Sequence, residues 1–166
     1  GRFTNNNIAT DHAIKMIDDG AHIIDIGGES TRPGSVPITE SDECERILPV
    51  IESIKKINSN ITISVDTYKA SVAKKAIEAG ADMVNDISGL TFDPDMLPLL
   101  SGKDIPVIIM HINGNPKTMQ KNPTYDDLVG NIRSFLDNQS KLAEESGIKN
   151  NHIILDPGIG FGKTFD

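Results

Sequence analysis

The chain has 166 residues, enough for one domain with its own apolar core, and its 37% hydrophobic and 24% charged residues are typical of a globular protein. Its net charge of −8 argues against a general nucleic-acid binder, which needs a basic surface to displace counterions. Because Cys44 is the single cysteine, the chain has no internal disulfide. We expect the Cys44 side chain to pack against its neighbours without a catalytic role. No signal peptide or long apolar span is recognisable, so we expect a cytoplasmic protein that binds neither nucleic acid nor membrane.

Five short apolar runs alternate along the chain with helical patterns. Each run is rich in Ile and Val and is continuously apolar, which is typical of parallel strands buried on both faces. The predicted strands cover 22–27, 61–66, 82–87, 106–111 and 152–158. The stretches between them carry apolar residues at helical spacing or good helix formers. Pro49 interrupts one of these patterns and either kinks or divides that helix. Glycines are predicted to end helices at Gly20, Gly80 and Gly147.

One local pattern occurs twice, as DDGAHIIDI (18–26) and EAGADMVND (78–86). Counted from the glycine of each copy, Asp25 and Asn85 occupy the same place. Alternating strands and helices with right-handed crossovers leave two main α/β architectures, a (β/α)8 TIM barrel or a doubly wound open sheet.

Polar side chains at the predicted strand ends favour the barrel, because barrel enzymes keep their sites at the carboxyl ends of the strands. These side chains are Asp25, Asp66, Asn85 and Asp156. Five strands cannot close an eight-stranded barrel. We therefore predict a partial barrel domain over 1–166, truncated at both ends.

The carboxylates among these residues lie in apolar sequence, where like charges repel and need a partner with several donors. Each one taken singly is readily explained as a helix cap. Together they suit a planar, nitrogen-rich heterocycle, whose amino and ring N–H groups donate to carboxylates, while an Asn amide both donates and accepts. A divalent metal is the competing explanation, although no His or Cys accompanies them at recognisable ligand spacing.

The loop that follows the first predicted strand, within DIGGESTRPGS (25–35), carries the groups of an anion site. Its two glycines allow the backbone to approach a ligand closely, and Ser30 and Thr31 supply hydroxyls. Arg32 offers a guanidinium fork for an oxyanion. Pro33 with the following glycine forces a turn. A phosphate or carboxylate is the predicted partner of this loop.

The loop over 156–164 resembles a nucleotide-binding P-loop but has Pro157 where that motif requires glycine, and it follows the last predicted strand. We therefore expect no nucleotide triphosphate there. Phe161 is suited to stack on a ring. In the neighbouring segment His111 is either a base or a hydrogen-bonded structural residue, and Met110 either walls an apolar pocket or belongs to the core.

Five motifs in this order resemble those of the dihydropteroate synthase family. They are DIGGESTRPGS (25–35), SVDT (64–67), NDISG (85–89), MHINGNPKTMQ (110–120) and DPGIGFGK (156–163). The resemblance implies a TIM barrel of which this chain covers strands 2 to 6. It also implies a folate-pathway transferase that joins (7,8-dihydropterin-6-yl)methyl diphosphate to p-aminobenzoate, forming 7,8-dihydropteroate and diphosphate. Inhibition by sulfonamides, Mg²⁺ as cofactor and a homodimer are further expectations.

The same resemblance assigns roles to residues. Those implied to bind the pterin diphosphate are Thr31, Asp66, Asn85 and Asp156. Those implied to form the anion or p-aminobenzoate loop are Arg32, Pro33 and Phe161, with Asp25 and Met110 in support. No residue is assigned as catalytic, because the family's reaction needs no covalent nucleophile. The family's metal-binding Asn lies on a strand before this chain, so no metal ligand is assigned here.

Two alternatives stay open at this point. A pterin-binding methyltransferase domain shares the barrel and the pterin-edge carboxylates but uses a reduced folate, and has no diphosphate for the STRPG loop to hold. A non-catalytic pterin-binding remnant is the second alternative. For the synthase, we expect the five-stranded segment alone to be inactive, because loops from the missing side of the barrel mouth would be absent.

Overall fold

The computed structural model of the chain describes residues 6–164, and within them five strands alternate with five α-helices. The strands are β1 (Ile23–Gly27), β2 (Thr62–Asp66), β3 (Met83–Asp86), β4 (Val107–Met110) and β5 (Ile153–Asp156). The helices are α1 (Asn6–Asp18), α2 (Glu40–Ile57), α3 (Ala70–Glu78), α4 (Met96–Leu100) and α5 (Leu128–Glu145). All five predicted strands are confirmed, each ending within two residues of its apolar run. The predicted domain bounds, 1 and 166, lie outside the described residues.

The strands form one parallel sheet in which the spatial order is the chain order, β1-β2-β3-β4-β5. A doubly wound sheet would instead reverse its strand order at a switch point. Sequential order without reversal is the arrangement of a barrel wall, so the barrel prediction is confirmed and the open-sheet alternative is wrong. In the described residues β1 and β5 each have a neighbour on one side only, and Ile154 of β5 is 46% exposed.

The two faces of the sheet differ in polarity. Register partners in a parallel pair point to the same side, so the in-register row Val65, Val84, Val107 faces the helices together. All three are completely buried in the main apolar core, which also contains Cys44 as predicted. The opposite face carries the polar side chains of the site.

Helix ends follow the sequence signals. Thr39 caps α2 by accepting a hydrogen bond from the Asp42 N–H at 3.1 Å. Gly20, Gly80 and Gly147 follow α1, α3 and α5 with φ of 103°, 114° and 95°, a left-handed conformation that glycine adopts without strain.

Pro49 lies inside α2, which continues through it as a single helix, so Pro49 does not divide the predicted element. Pro49 has no N–H for the carbonyl of Glu45, and that residue is exposed, so water can satisfy the freed carbonyl. None of the helices between residues 6 and 164 has the length and hydropathy needed to cross a membrane.

Candidate functional site

The polar side chains predicted at strand ends meet on one face of the sheet. Asp66 is in register with Gly27 of β1 on one side and with Asn85 of β3 on the other. The Asn85 amide donates to the Asp25 carboxylate at 3.3 Å. Asp25 lies deeper on the same face, in register with Ser64. Asp25, Asp66 and Asn85 therefore form one polar patch at the carboxyl end of the sheet.

Asp66 is the most unusual member of this patch. Its Oδ1 atom is buried without a hydrogen-bond partner among the described residues. Burial, and next the nearby Asp25 carboxylate, raise the pKa of Asp66 from 3.8 to about 7. The absence of a side chain at Gly27 makes room for it, because a Cβ there would lie 3.1 Å from Asp66 Oδ2. A buried acceptor of this kind is matched by a ligand that donates N–H groups.

Asp156 ends β5, where it is in register with Met110 of β4. Its Oδ1 accepts the Gly158 N–H at 2.7 Å, so the side chain shapes the loop that follows. Met110 belongs to a second apolar cluster against which Phe161 and Tyr68 pack. The structure thus brings Met110 and Phe161 together, and Met110 forms part of an apolar wall separate from the main core.

The loop after β5 depends on two close backbone approaches. Gly158 has a φ of 65°, and a Cβ on it would lie 2.1 Å from the carbonyl oxygen of His111. The Lys163 ammonium lies 2.9 Å from Nδ1 of His111 and donates to the carbonyl oxygens of His111 and Phe161 at 3.0 Å each. Lys163 therefore ties its own loop to the end of β4.

His111 has a structural role. It is 6% exposed, and its ring meets that of Phe135 edge to face with centroids 5.1 Å apart. Burial and the charge on Lys163 lower the pKa of His111, and burial lowers the pKa of Lys163 to about 8. In a neutral imidazole with its proton on Nε2, Nδ1 accepts a hydrogen bond from the Lys163 ammonium.

The loop after β1 reaches across the sheet. The Gly34 N–H donates to the Pro116 carbonyl at 3.0 Å, joining the β1 loop to the β4 loop above the strands between them. Thr31 is half-buried, whereas Arg32 and Pro33 are exposed. Within residues 6–164 no ion pair or hydrogen bond engages the Arg32 guanidinium, which leaves its five donors available to a ligand.

Four residues at the base of this loop were not predicted from the sequence. Lys69 donates to Glu29 at 2.7 Å, to Glu43 at 2.6 Å and to the Ile38 carbonyl at 2.9 Å. Tyr68 donates its hydroxyl to the other oxygen of Glu29 at 2.7 Å. Glu29 lies inside the motif DIGGESTRPGS (25–35) and Lys69 closely follows Asp66, but no local spacing pairs residues 40 positions apart.

No metal site is recognisable in the described part of the chain. Among residues 6–164, no group of three or more His, Cys, Asp or Glu side chains is placed to hold an ion. Asp25 and Asp66 supply only two carboxylates. A hard cation takes about six oxygen ligands, and no third His, Cys, Asp or Glu side chain is placed to join this pair among residues 6–164. These residues alone do not fit a Mg²⁺ centre, and we assign no ligand.

Comparisons with known proteins agree with this geometry. The family model for pterin binding enzymes matches residues 1–166. The chain is 49% identical to a dihydropteroate synthase of Synechocystis over 99% of its own length and 56% of that protein's. It superposes with a TM-score of 0.91 and 42% identity on the Yersinia pestis dihydropteroate synthase, solved with a sulfonamide drug, covering 96% of this chain and 57% of that one.

A Burkholderia cenocepacia dihydropteroate synthase solved with 7,8-dihydropteroate is 38% identical, with a TM-score of 0.87 over 96% of this chain and 56% of that one. The chain thus spans a little more than half the length of the relatives it matches. The family model matches the whole chain, and the sequence identities to the dihydropteroate synthases point to the same family. The chain belongs to the family of pterin binding enzymes.

Proposed function

We propose that this chain provides the pterin-binding part of a dihydropteroate synthase. The enzyme condenses (7,8-dihydropterin-6-yl)methyl diphosphate with p-aminobenzoate and releases diphosphate. The observation that carries the proposal is the buried, unpartnered Oδ1 of Asp66 beside Asn85 and Asp25 at the carboxyl end of the sheet. The similarity to dihydropteroate synthases, one of them solved with 7,8-dihydropteroate, supports the choice of ligand.

The pterin edge offers amino and ring N–H donors and a carbonyl acceptor. The carboxylates of Asp66 and Asp156 accept from the donors, and the Asn85 amide can serve both kinds of group. Bonds from a ligand N–H to an ionised acceptor also favour the charged form of Asp66, which burial otherwise opposes. Met110 and Phe161 supply an apolar wall for the rings.

The β1 loop is proposed to hold the anionic part of the substrates. Arg32 is exposed, and no partner engages its guanidinium among the described residues, in a chain of net charge −8. A local cation of this kind can attract a diphosphate or a carboxylate despite the overall charge. Thr31, half-buried beside it, supplies a hydroxyl for the pterin diphosphate. Pro33 shapes the turn that presents them.

The proposed reaction needs no protein nucleophile. The amine of p-aminobenzoate attacks the exocyclic methylene of the pterin, the C–O bond to diphosphate breaks, a C–N bond forms, and the amine loses a proton. The residues of this chain contribute by orienting the pterin and by stabilising the charge of the departing diphosphate. Mg²⁺ remains an expectation of the family resemblance, and we assign it neither a ligand nor a step.

The remaining expectations belong to the same proposal. We propose small-molecule substrates, a homodimer and a cytoplasmic location for the full-length gene product. The similarity to dihydropteroate synthases supports the substrate class. The dimer and the compartment rest on the family resemblance and on composition.

The test is diphosphate release by the purified full-length gene product. We expect release that requires both the pterin diphosphate and p-aminobenzoate, with one 7,8-dihydropteroate formed for each diphosphate. Methyl transfer from a reduced folate, without diphosphate release, would support the methyltransferase alternative instead. Pterin binding with neither reaction would support the non-catalytic alternative.

A further inference from the structure

A largely buried cluster of four charged and polar side chains lies at the base of the β1 loop: Glu29, Glu43, Tyr68 and Lys69. The Lys69 ammonium contacts one oxygen each from Glu29, Glu43 and Ile38, so all three of its protons have acceptors. The side chains of Glu29, Glu43 and Lys69 are only 7%, 1% and 13% exposed. Removing these charges from water costs free energy. The positive charge of Lys69 offsets that cost for the carboxylates of Glu29 and Glu43.

The same cluster closes the loop. The Ile38 N–H donates to Glu29 Oε2 at 2.9 Å, while the Ile38 carbonyl accepts from Lys69, so the two ends of segment 29–38 are tied together. Burial alone would raise the pKa of Glu29, but the hydrogen bonds from Lys69, Ile38 and Tyr68 outweigh it and lower that pKa. Glu29 is therefore ionised at neutral pH, which keeps these charge-assisted bonds strong.

Glycine makes the arrangement sterically possible. A Cβ on Gly28 would lie 2.9 Å from Glu43 Cγ and 3.0 Å from Ile47 Cγ2, so no larger residue lets α2 approach the loop this closely. Arg46 of the same helix donates to the Gly28 carbonyl at 3.0 Å. The start of the loop is thus held from α2 as well as from Lys69.

The cluster also touches both other parts of the proposed site. Lys69 and Tyr68 lie on the turn directly after Asp66, and the Thr67 N–H donates to the Asn85 carbonyl. The Tyr68 ring packs against the apolar cluster that includes Met110 and Phe161. A shift of the turn at 67–69 would therefore move the anion loop relative to the pterin-binding strand ends.

From this geometry we infer that Glu29 and Lys69, aided by Tyr68, are positioning residues that fix the anion loop over the pterin site. They do not touch the substrate. They act through Thr31 and Arg32, whose places depend on the closed loop 29–38. The inference rests on the proposed function for its ligand, a pterin diphosphate, but the closure of the loop can be measured without any ligand.

The test uses Lys69→Met in the full-length gene product, with Lys55→Met as the matched control. Lys55 also joins a carboxylate, Asp82 at 2.7 Å, to a carbonyl, Ile61 at 2.8 Å, but it does so at the opposite end of the sheet. Both variants remove one partly buried ammonium and lower stability. Only Lys69→Met is expected to speed amide hydrogen exchange in segment 30–38.

Binding and kinetics give the second readout. For Lys69→Met we expect affinity for the pterin diphosphate to fall roughly tenfold or more, since misplacement of an anchoring group by about 1 Å is costly. Affinity for the pterin without diphosphate should change less than about twofold, because it does not use the loop. Lys69→Arg keeps the charge but not the converging geometry, and should recover only part of the loss.

Tyr68→Phe provides a milder variant should Lys69→Met fail to fold. It removes one hydrogen bond to Glu29 and keeps the ring, which also meets Phe92 edge to face at 5.4 Å. Faster exchange in 30–38 together with selective loss of the diphosphate ligand supports the inference. Unchanged exchange in both variants, or equal loss of both ligands, overturns it. If exchange rises but no pterin ligand binds even the unaltered protein, the loop closure stands and the proposed function fails.

Discussion

Asp66 and Asn85 are register partners on neighbouring parallel strands, and each presents its side chain at the same edge of the sheet. A carboxylate beside an amide, on a polar face backed by an apolar core, is a complementary surface for the edge of a planar heterocycle. The arrangement costs stability when no ligand is bound, because Asp66 is buried beside the Asp25 carboxylate. Sites of this kind commonly hold groups whose pKa is displaced.

The first prediction concerns that cost. Because the pKa of Asp66 is raised in the folded state to about 7, the folded protein binds its proton more tightly than the unfolded chain does. Stability is therefore lost as pH rises from about 4 through 7, and Asp66→Asn removes this loss. The shift corresponds to at most roughly 4 kcal/mol, at 1.4 kcal/mol per pKa unit.

Denaturant unfolding of the ligand-free full-length gene product at pH 5 and pH 8 measures the effect. We expect Asp66→Asn to gain stability over the unaltered protein mainly at pH 8. The control is Asp137→Asn, on the exposed side of α5. Its effect on the free energy of unfolding should be the same at pH 5 and at pH 8. A gain for Asp66→Asn that is the same at pH 5 and pH 8 would contradict the raised pKa.

The second prediction concerns Arg32. Arg32→Lys keeps the positive charge but loses the bidentate fork, so turnover of the pterin diphosphate should fall markedly. Affinity for the pterin without its diphosphate should hardly change. Steady-state kinetics and calorimetry on the full-length gene product check both points. Equal weakening of the two ligands would show that Arg32 serves the fold instead of an anion.

The third prediction compares two glycines of the β5 loop. Gly158 and Gly160 have φ of 65° and 90°, so alanine is strained at either position, by about 1–2 kcal/mol. At Gly158 the new Cβ would also meet the His111 carbonyl oxygen at 2.1 Å, whereas nothing lies within 4 Å of it at Gly160. Gly158→Ala should therefore cost about 1–3 kcal/mol more than Gly160→Ala.

Thermal or denaturant unfolding of both variants gives the difference directly. The comparison isolates the steric contacts of the new Cβ with His111 and Met110, since both glycines have a positive φ. Equal destabilisation would mean that the loop relaxes away from β4 without penalty.

The fourth prediction concerns Lys163 and His111. The charge on Lys163 helps to lower the pKa of His111, so Lys163→Met should raise that pKa towards the ordinary value while burial still holds it down. NMR titration of the His111 ring follows the change. Lys117→Met, which alters an exposed lysine of the same segment, should leave the titration unchanged. No upward shift in Lys163→Met would contradict the contact between the two side chains.

Much of the fold was predictable because each strand carries a short, continuously apolar run, which is typical of parallel strands. The helix α4 (Met96–Leu100) was missed, because five residues that include Pro98 show no helical period. The exact start of α5 at Leu128 could not be predicted, because a sequence pattern does not show that Asp127 caps the helix by accepting from the Gly130 N–H at 2.9 Å.

The candidate site was predictable where it lies on strand ends and not where it depends on distant contacts. Asp66 and Asn85 follow from their place after apolar runs. Glu29 and Lys69 form their ion pair only because β1 and β2 are adjacent, and no local rule joins residues 40 positions apart. Sequence reasoning also could not distinguish the two roles open to His111, since the choice depends on its contacts with Lys163 and Phe135.

The central claim is that the strand-end carboxylates hold the pterin edge. Its most direct test is calorimetric titration of the pterin into the full-length gene product carrying Asp66→Ala or Asp156→Ala, with Asp137→Ala as control. Each of the first two variants removes charge-assisted hydrogen bonds worth about 1.5–3 kcal/mol, so affinity should fall by roughly ten- to hundredfold while circular dichroism shows the fold intact. Asp137→Ala should bind as the unaltered protein does. Unchanged pterin affinity in both Asp66→Ala and Asp156→Ala would contradict the account.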